Sequence, residues 1–392
     1  MEADRKHITA DELKQHKKPG DLWISIQGKV YNVSDWAKEH PGGETALLNL
    51  AGQDVTDAFI AYHPGTAWQY LDKFFTGYYL EDFKVSEVSK DYRRLVSEFS
   101  KAGMFGKKGH VAFCSLASVA IMFVVVLYGV LICESVWAHL GSAMVLGMLW
   151  MQSTYVGHDS GHYQVMASRG YNRLAQIITG NFDPLARFLI SYQHWTFYPV
   201  TCVARVNLYL QTLLLLFSPS RKVPDRALNI MGILVFWTWF PLLVSYLPNW
   251  PERFMFVLAS FAVTSIQHIQ FCLNHFSANV YVGPPSGNDW FEKQTSGTLD
   301  IDCSSWMDWF FGGLQFQLEH HLFPRLPRCQ LRKVSPVVKE LCKKHNLPYR
   351  SLSFWDANVS TIRTLRTAAL QARDLSNPAP ENLLWEAVNT HG

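Results

Sequence analysis

The chain has 392 residues, room for two domains or one large one, and its net charge of +3 is too small to suggest a nucleic-acid partner. Apolar residues make up 48% of it, yet mean hydropathy is near zero, so they must be concentrated in particular segments. The seven cysteines are scattered without a C-x-x-C spacing, which argues against a disulfide framework or a zinc site and for reduced thiols used as small hydrophobes.

Met1 to Lys18 is charged and has no apolar run, so no secretory leader is expected there. Residues 7–80 read as a compact soluble unit. Leu22-Trp23-Ile24-Ser25-Ile26 and Lys29-Val30-Tyr31-Asn32-Val33 are β-rich runs broken at Gln27-Gly28, which predicts a hairpin. Short helices are predicted over Trp36 to Glu39, over Glu44 to Leu50, and after Asp54-Val55-Thr56-Asp57. Between them lies His40-Pro41-Gly42-Gly43, and His63 follows 23 residues after His40, again before Pro-Gly. An ordinary surface histidine in a Pro-Gly turn would explain His63 taken alone. Two loop histidines facing each other across small helices can instead hold both axial positions of a haem iron.

Residues 81–110, with Arg93-Arg94 and Lys107-Lys108, form a charged connector. Residues 112–133 carry no charge over 22 positions, enough to cross a hydrocarbon layer of about 30 Å. A second apolar stretch at 136–155 follows after a few polar residues, predicting a tight helical hairpin. His158-Asp159-Ser160-Gly161-His162 comes next, with two imidazoles at i and i+4 on one helical face. Three further apolar stretches lie at 195–217, 229–247 and 253–272. The first contains Arg205, Asn207 and Gln211 and is expected to lie at the membrane interface. The other two are expected to form a second hairpin around 248–253. Asn274-His275 stands just past the last span, and His268 lies within it. A second histidine pair occurs in Gln317-Leu318-Glu319-His320-His321, set between Trp306 to Gly313 and Leu322-Phe323-Pro324-Arg325. Neutral imidazoles are common metal ligands, and polar groups beside membrane spans are usually functional. If His158/His162 and His320/His321 share one site, an even number of spans must separate them, giving four in all. Basic clusters at Arg221-Lys222, Arg325 to Lys333 and Lys343-Lys344 suit anionic lipid headgroups. Ligation by histidine alone, without cysteine, suits non-haem iron better than structural zinc.

The first 80 residues resemble cytochrome b5. The strands, the His-Pro-Gly-Gly run, the Asp-Val-Thr-Asp-Ala-Phe run and the later His match in order. The resemblance implies haem b held by His40 and His63, with no open iron position, which suits electron transfer. Nearly the whole chain resembles a cytochrome b5-fused front-end desaturase. His158 to His162 matches that family's first histidine box. Gln317 to His321 matches the third, with Gln in the leading position, and Asn274-His275 matches a further histidine. The likeness is nearest to plant sphingoid long-chain-base Δ8 desaturases, with fatty-acyl front-end desaturases of Δ6 or Δ5 type as the alternative. It implies an N-terminal α+β haem domain (1–85), a connector (86–111), an all-α four-span membrane desaturase domain (112–350) and a cytosolic tail (351–392). It also implies two non-haem irons on His158, His162, His320 and His321, with His275 as a candidate fifth ligand. The expected partners are a lipid substrate, either a ceramide base or an acyl lipid, and cytochrome b5 reductase, with a homo-oligomer left open. The expected site of action is the endoplasmic reticulum membrane, with haem domain and metal site facing the cytosol.

One departure stands out. The family carries a second box, His-x-x-His-His, and here the only histidine between His162 and His268 is His194. The junction at Asn181-Phe182 reads as an internal deletion of some tens of residues. The chain is therefore expected either to be impaired as an oxygen-dependent desaturase, or to act as a membrane haem protein that carries electrons or partners intact copies.

Overall fold

In the computed structural model the described residues are 6–41, 43–80, 85–106, 109–161, 193–217, 226–276 and 289–373. The N-terminal unit begins β1 (His7–Ile8), α1 (Ala10–Gln15), β2 (Lys17–Lys18), β3 (Asp21–Ile26) and β4 (Lys29–Asn32). A 3-10 turn (Ala37–Glu39), α2 (Glu44–Leu50), α3 (Thr56–Tyr62), a 3-10 segment (Gly65–Phe74) and β5 (Phe75–Tyr79) complete it. The sheet order is β1-β5-β4-β3-β2, with β1 parallel to β5 and the remaining pairs antiparallel. The predicted hairpin forms between β3 and β4, pairing Ile26 with Lys29. Its two-residue turn needs positive φ at both positions, and Gln27 (51°) and Gly28 (75°) adopt it. One sheet face packs Leu22, Ile24, Ile26 and Tyr31 against Leu47, Val55, Phe59 and Leu71 from the helical side.

The segment read as a connector contains α4 (Glu87–Lys101), capped by Ser86 Oγ accepting from the Ser89 amide. The membrane part follows as α5 (Gly109–Leu131), α6 (Val136–Gly161), α7 (Gln193–Phe217), α8 (Arg226–Ser245) and α9 (Trp250–Phe276). Among the described residues three helical stretches are long and apolar enough to cross a membrane: Phe113–Leu131, Arg226–Ser245 and Trp250–His275. Their outer faces expose Phe113, Ile121, Val124, Leu234, Trp250 and Phe254, the pattern of a bundle solvated by lipid rather than water. α6 is long enough at 26 residues but more polar, and it turns Ser142 and Gln152 inward.

α6 and α9 run parallel. Near their starts His139 Nδ1 lies 2.5 Å from Glu252 Oε2. Midway, a Cβ on Gly147 would stand 2.6 Å from the Ser260 carbonyl oxygen, so only glycine permits the crossing. Further along, Tyr155 Oη donates to Gln270 Oε1 at 3.1 Å. The C-terminal ends of both helices, bearing His158 and His275, therefore arrive at the same end of the bundle.

The expectation that 195–217 lies flat at the interface is not met. α7 packs antiparallel along α9: Tyr198 bonds Asn358 beside the end of α9, Cys202 lies 3.7 Å from Ser265, and Tyr209 stacks on Phe236 of α8. Tyr209 and the buried Leu216 find partners in the bundle, while Leu210, Leu214 and Phe217 stay exposed on the outer face, as on the spanning helices. Arg205, Asn207 and Gln211, which carried the expectation, have side chains outside the description.

Above the bundle lie α10 (Trp290–Gly297), β6 (Asp300–Asp302), α11 (Asp308–Phe311), α12 (Gln317–Leu322), α13 (Arg328–Lys344), β7 (Ser351–Ser353) and α14 (Phe354–Arg373). Tyr92 and Phe99 of α4 join Phe291, Leu318, Leu322, Phe323 and Leu331 in one core, so the supposed connector is a structural part of this cap.

Candidate functional site

His40 follows the 3-10 turn, and His63 is the C-cap of α3. Their ring centroids are 5.9 Å apart. Two imidazoles each about 2 Å from a central metal would put centroids about 6 Å apart. His40 Nδ1 donates to the Gly43 carbonyl at 3.3 Å and His63 Nδ1 to the Phe59 carbonyl at 3.2 Å. Both rings are thereby fixed in the tautomer that leaves Nε2 free, the arrangement that orients histidine for a metal. Burial, then the neighbouring His40 and Arg325, lower the His63 pKa to about 4, and burial lowers that of His40, so both rings are neutral at pH 7. Phe59 stacks on His63 at 4.3 Å and Trp36 meets His40 edge-on at 5.2 Å, giving the pair an aromatic frame. The residues present fit a haem with two axial histidines.

At the other site, the ends of α9 and α12 bring His275 and His321 to a centroid distance of 5.3 Å. The Gln317 amide nitrogen lies 3.1 Å from His275 Nε2 and 3.0 Å from His321 Nε2. An amide NH₂ can only donate, so both Nε2 lone pairs point at one place. The opposite nitrogens are tied back: His321 Nδ1 to Gln294 Oε1 at 3.0 Å, and His275 to the Gly297 carbonyl. Asn274 Nδ2 donates to Gln317 Oε1 at 3.1 Å and to the Leu314 carbonyl at 2.7 Å, which fixes the amide's orientation. Converging lone pairs with the far nitrogens held are part of what a metal cation requires, and the Gln317 NH₂ stands at their meeting point.

His320 is buried, its ring 6.2 Å from that of His321. His158 lies on the last turn of α6 with its side chain outside the description, and His162 lies outside the described residues altogether. Among the described residues no three His, Cys, Asp or Glu side chains gather into one cluster. His268 sits two turns before His275 on α9, and His194 opens α7 with its ring 5.6 Å from Trp195.

Reading the sequence missed the supports. Gln294 and Gly297 carry no sequence signal, although Asn274 could have been suspected from its place beside His275. Under α12, Asp300 and Glu319 are buried together, and Tyr349 Oη bonds Asp300 Oδ2 at 2.8 Å and Glu319 Oε1 at 3.0 Å. Burial, then the facing Asp300 carboxylate, holds Glu319 well above the usual carboxylate range. Asp300 Oδ1 also accepts from the Leu318 amide at 3.0 Å, fixing the start of α12. Tyr349→Phe is expected to remove the buried hydroxyl that both acids bond and to cost about 1–3 kcal/mol. Thermal unfolding of the detergent-solubilised chain should show a lower midpoint, and an unchanged midpoint would refute this role.

Residues 9–80 match the family described as cytochrome b5-like haem/steroid binding domain, and residues 200–353 match fatty acid desaturase. Over 444 aligned positions the chain is 64% identical to the Delta(8)-fatty-acid desaturase 2 of Arabidopsis thaliana, covering 99% of each chain. It is 62% identical to the Delta(8)-fatty-acid desaturase of Helianthus annuus, over 99% of this chain and 97% of that one. It is 54% identical to the acyl-lipid (9-3)-desaturase of Borago officinalis, over 99% of both. Because 444 aligned positions face a chain of 392 residues, at least 52 of them (444 less 392) have no counterpart here, and all lie inside the alignment. The desaturase match begins at 200, downstream of His158 and His162.

Proposed function

Since this chain belongs to the cytochrome b5-fused membrane desaturases, oxidoreductases that act on lipid chains, we propose that it is a Δ8 desaturase of sphingoid long-chain bases by descent, with its own activity impaired. The observation that carries the site is the convergence of His275 and His321 Nε2 on one point, with both far nitrogens held. His158, His162 and His320 are the further proposed ligands, and His40 and His63 the haem ligands. Bound iron would supply oxygen activation and bound haem its electrons. The chain's own part is to bind, orient and keep neutral the imidazoles, and to seat a lipid against the bundle end. Cytochrome b5 reductase is the proposed electron source and the endoplasmic reticulum membrane the proposed location.

The substrate assignment rests on the 64% and 62% identities to Δ8 enzymes. The acyl-lipid enzyme at 54% keeps a fatty-acyl substrate as the second choice. The 52 internal positions without a counterpart favour a further reading, a membrane-anchored haem protein that carries electrons or partners intact copies. Long-chain-base analysis in a host without Δ8-unsaturated bases separates these readings.

The parallel course of α6 and α9 supports one orientation for the whole bundle. The loops at 132–135 and 246–249 share one end, joined through His139, whose Nε2 bonds the Cys133 carbonyl, and Glu252, which Asn249 bonds at 2.7 Å. With basic residues flanking α5 on the other side, glycosylation tags at 134 and 249 are expected to be modified, and tags at 165 and 345 to stay unmodified. A modified tag at 165 or 345, or an unmodified one at 134 and 249, would overturn this orientation.

A further inference from the structure

Arg325 stands four residues beyond His321, just past the end of α12. Its guanidinium reaches into the N-terminal unit: Nε donates to the Ala61 carbonyl at 3.0 Å and Nη2 to the Ile60 carbonyl at 3.1 Å. Both carbonyls belong to the last turn of α3, whose C-cap is His63. The last carbonyls of a helix lack partners within it and form the negative end of its dipole, so a cation there is held by hydrogen bonds and by charge. A rigid fork of donors can serve two carbonyls at once, as a lysine ammonium on a flexible stem does poorly.

A second contact springs from the same turn. Tyr62 meets Trp290 edge-on with ring centroids 6.4 Å apart. Trp290 opens α10, and one turn later Gln294 of that helix holds His321. Tyr92 packs against Trp290 at 5.4 Å and Phe323 at 5.6 Å while its hydroxyl bonds the Leu322 carbonyl at 2.8 Å. From α4, Arg93 Nε bonds Asp57 of α3 at 2.6 Å. The haem-ligand helix is thus fixed from three segments far apart in sequence, two of which also hold the third-box histidines.

We infer that Arg325 is a positioning residue for electron delivery. It holds the His63 turn of α3 on the helices that present His275 and His321, so that a haem held by His40 and His63 would stand in fixed register with this chain's own histidine cluster. A haem held by His40 and His63 would supply one electron at a time, and Arg325 keeps it in place without any bond or proton moving. The inference rests on the haem part of the proposed function and is indifferent to whether the chain desaturates.

The test uses the full chain, haem-loaded in detergent, as Arg325→Ala and Arg325→Lys. Arg325→Ala is expected to keep the low-spin haem spectrum and lower the haem midpoint potential, because a cation beside His63 disfavours the ferric state. It should also speed amide exchange about tenfold or more over 56–63 and 290–297, as loss of charge-assisted hydrogen bonds implies. Arg325→Lys should keep the potential near that of the parent while exchange over 56–63 still rises. A purely structural arginine would leave the potential unmoved. Exchange changes confined to 317–344, or an unchanged potential in Arg325→Ala, would overturn the inference. Should Arg325→Ala not fold, Trp290→Leu is read over the same peptides, and unaltered exchange at 56–63 there would overturn it equally.

Discussion

Expressed unaltered in a host that makes no Δ8-unsaturated long-chain bases, the chain is expected to yield product at less than about 1% of the level of a repaired chain. Removing even an outer partner of a ligating histidine costs about 10–100-fold in metal affinity or activity, and missing ligands cost more. The described half of the site explains the sensitivity. His275 and His321 converge on one point, but two imidazoles make an incomplete shell for a single metal. At least 52 positions within the alignment have no counterpart in the chain, and the His-x-x-His-His of the family is absent from its sequence. Inserting a family-type segment bearing that box between Asn181 and Phe182 should restore product. His194→Ala in the unaltered chain should change nothing. Clear Δ8 product from the unaltered chain would show that the ligand count is wrong and that the shortened chain is an enzyme in its own right.

The second large effect concerns haem. His40→Ala or His63→Ala in the full chain is expected to abolish the low-spin spectrum and most haem retention, read as the ratio of Soret to protein absorbance. Each ring is held by one backbone carbonyl and faces the other at 5.9 Å, so removing either leaves a single axial nitrogen and an open position. Burial keeps His63 neutral, with its pKa lowered to about 4, so acid competes for that nitrogen only below about pH 5. A bis-histidine spectrum surviving in either variant would refute the pairing. His16→Ala serves as the control, since His16 bonds Asp21 and stacks at 3.6 Å on Trp23, which packs in a different core from the Phe59 that stacks on His63.

The sequence by itself determined whatever depends on near neighbours. The β3–β4 hairpin follows from the β-rich runs on either side of Gln27-Gly28, whose backbone adopts the positive φ that such a turn demands. His40 and His63, which face each other at 5.9 Å, could be named because each stands in its own Pro-Gly turn, and α5, α8 and α9 were legible because uncharged runs of that length have few other fates. His275 and His321 could be named as candidates from short motifs alone.

Only the tertiary structure decided the rest, because it turns on contacts between segments with no local mark. The course of α7 depended on whether Cys202 and Tyr209 found partners in the bundle, which hydropathy along one segment cannot report. The residues that orient the histidines, Gln294 and Gly297, look like any others in a polar helix until folding sets them against His321 and His275. The charged run of α4 reads as a linker because its apolar residues are few, yet Tyr92 lies fully buried between the two domains. Arg325 reads as one more basic residue for lipid headgroups until its guanidinium meets carbonyls more than 260 residues away, at 3.0 and 3.1 Å. Local propensity carries no term for such pairings; they exist only once the apolar surfaces around them have been buried together.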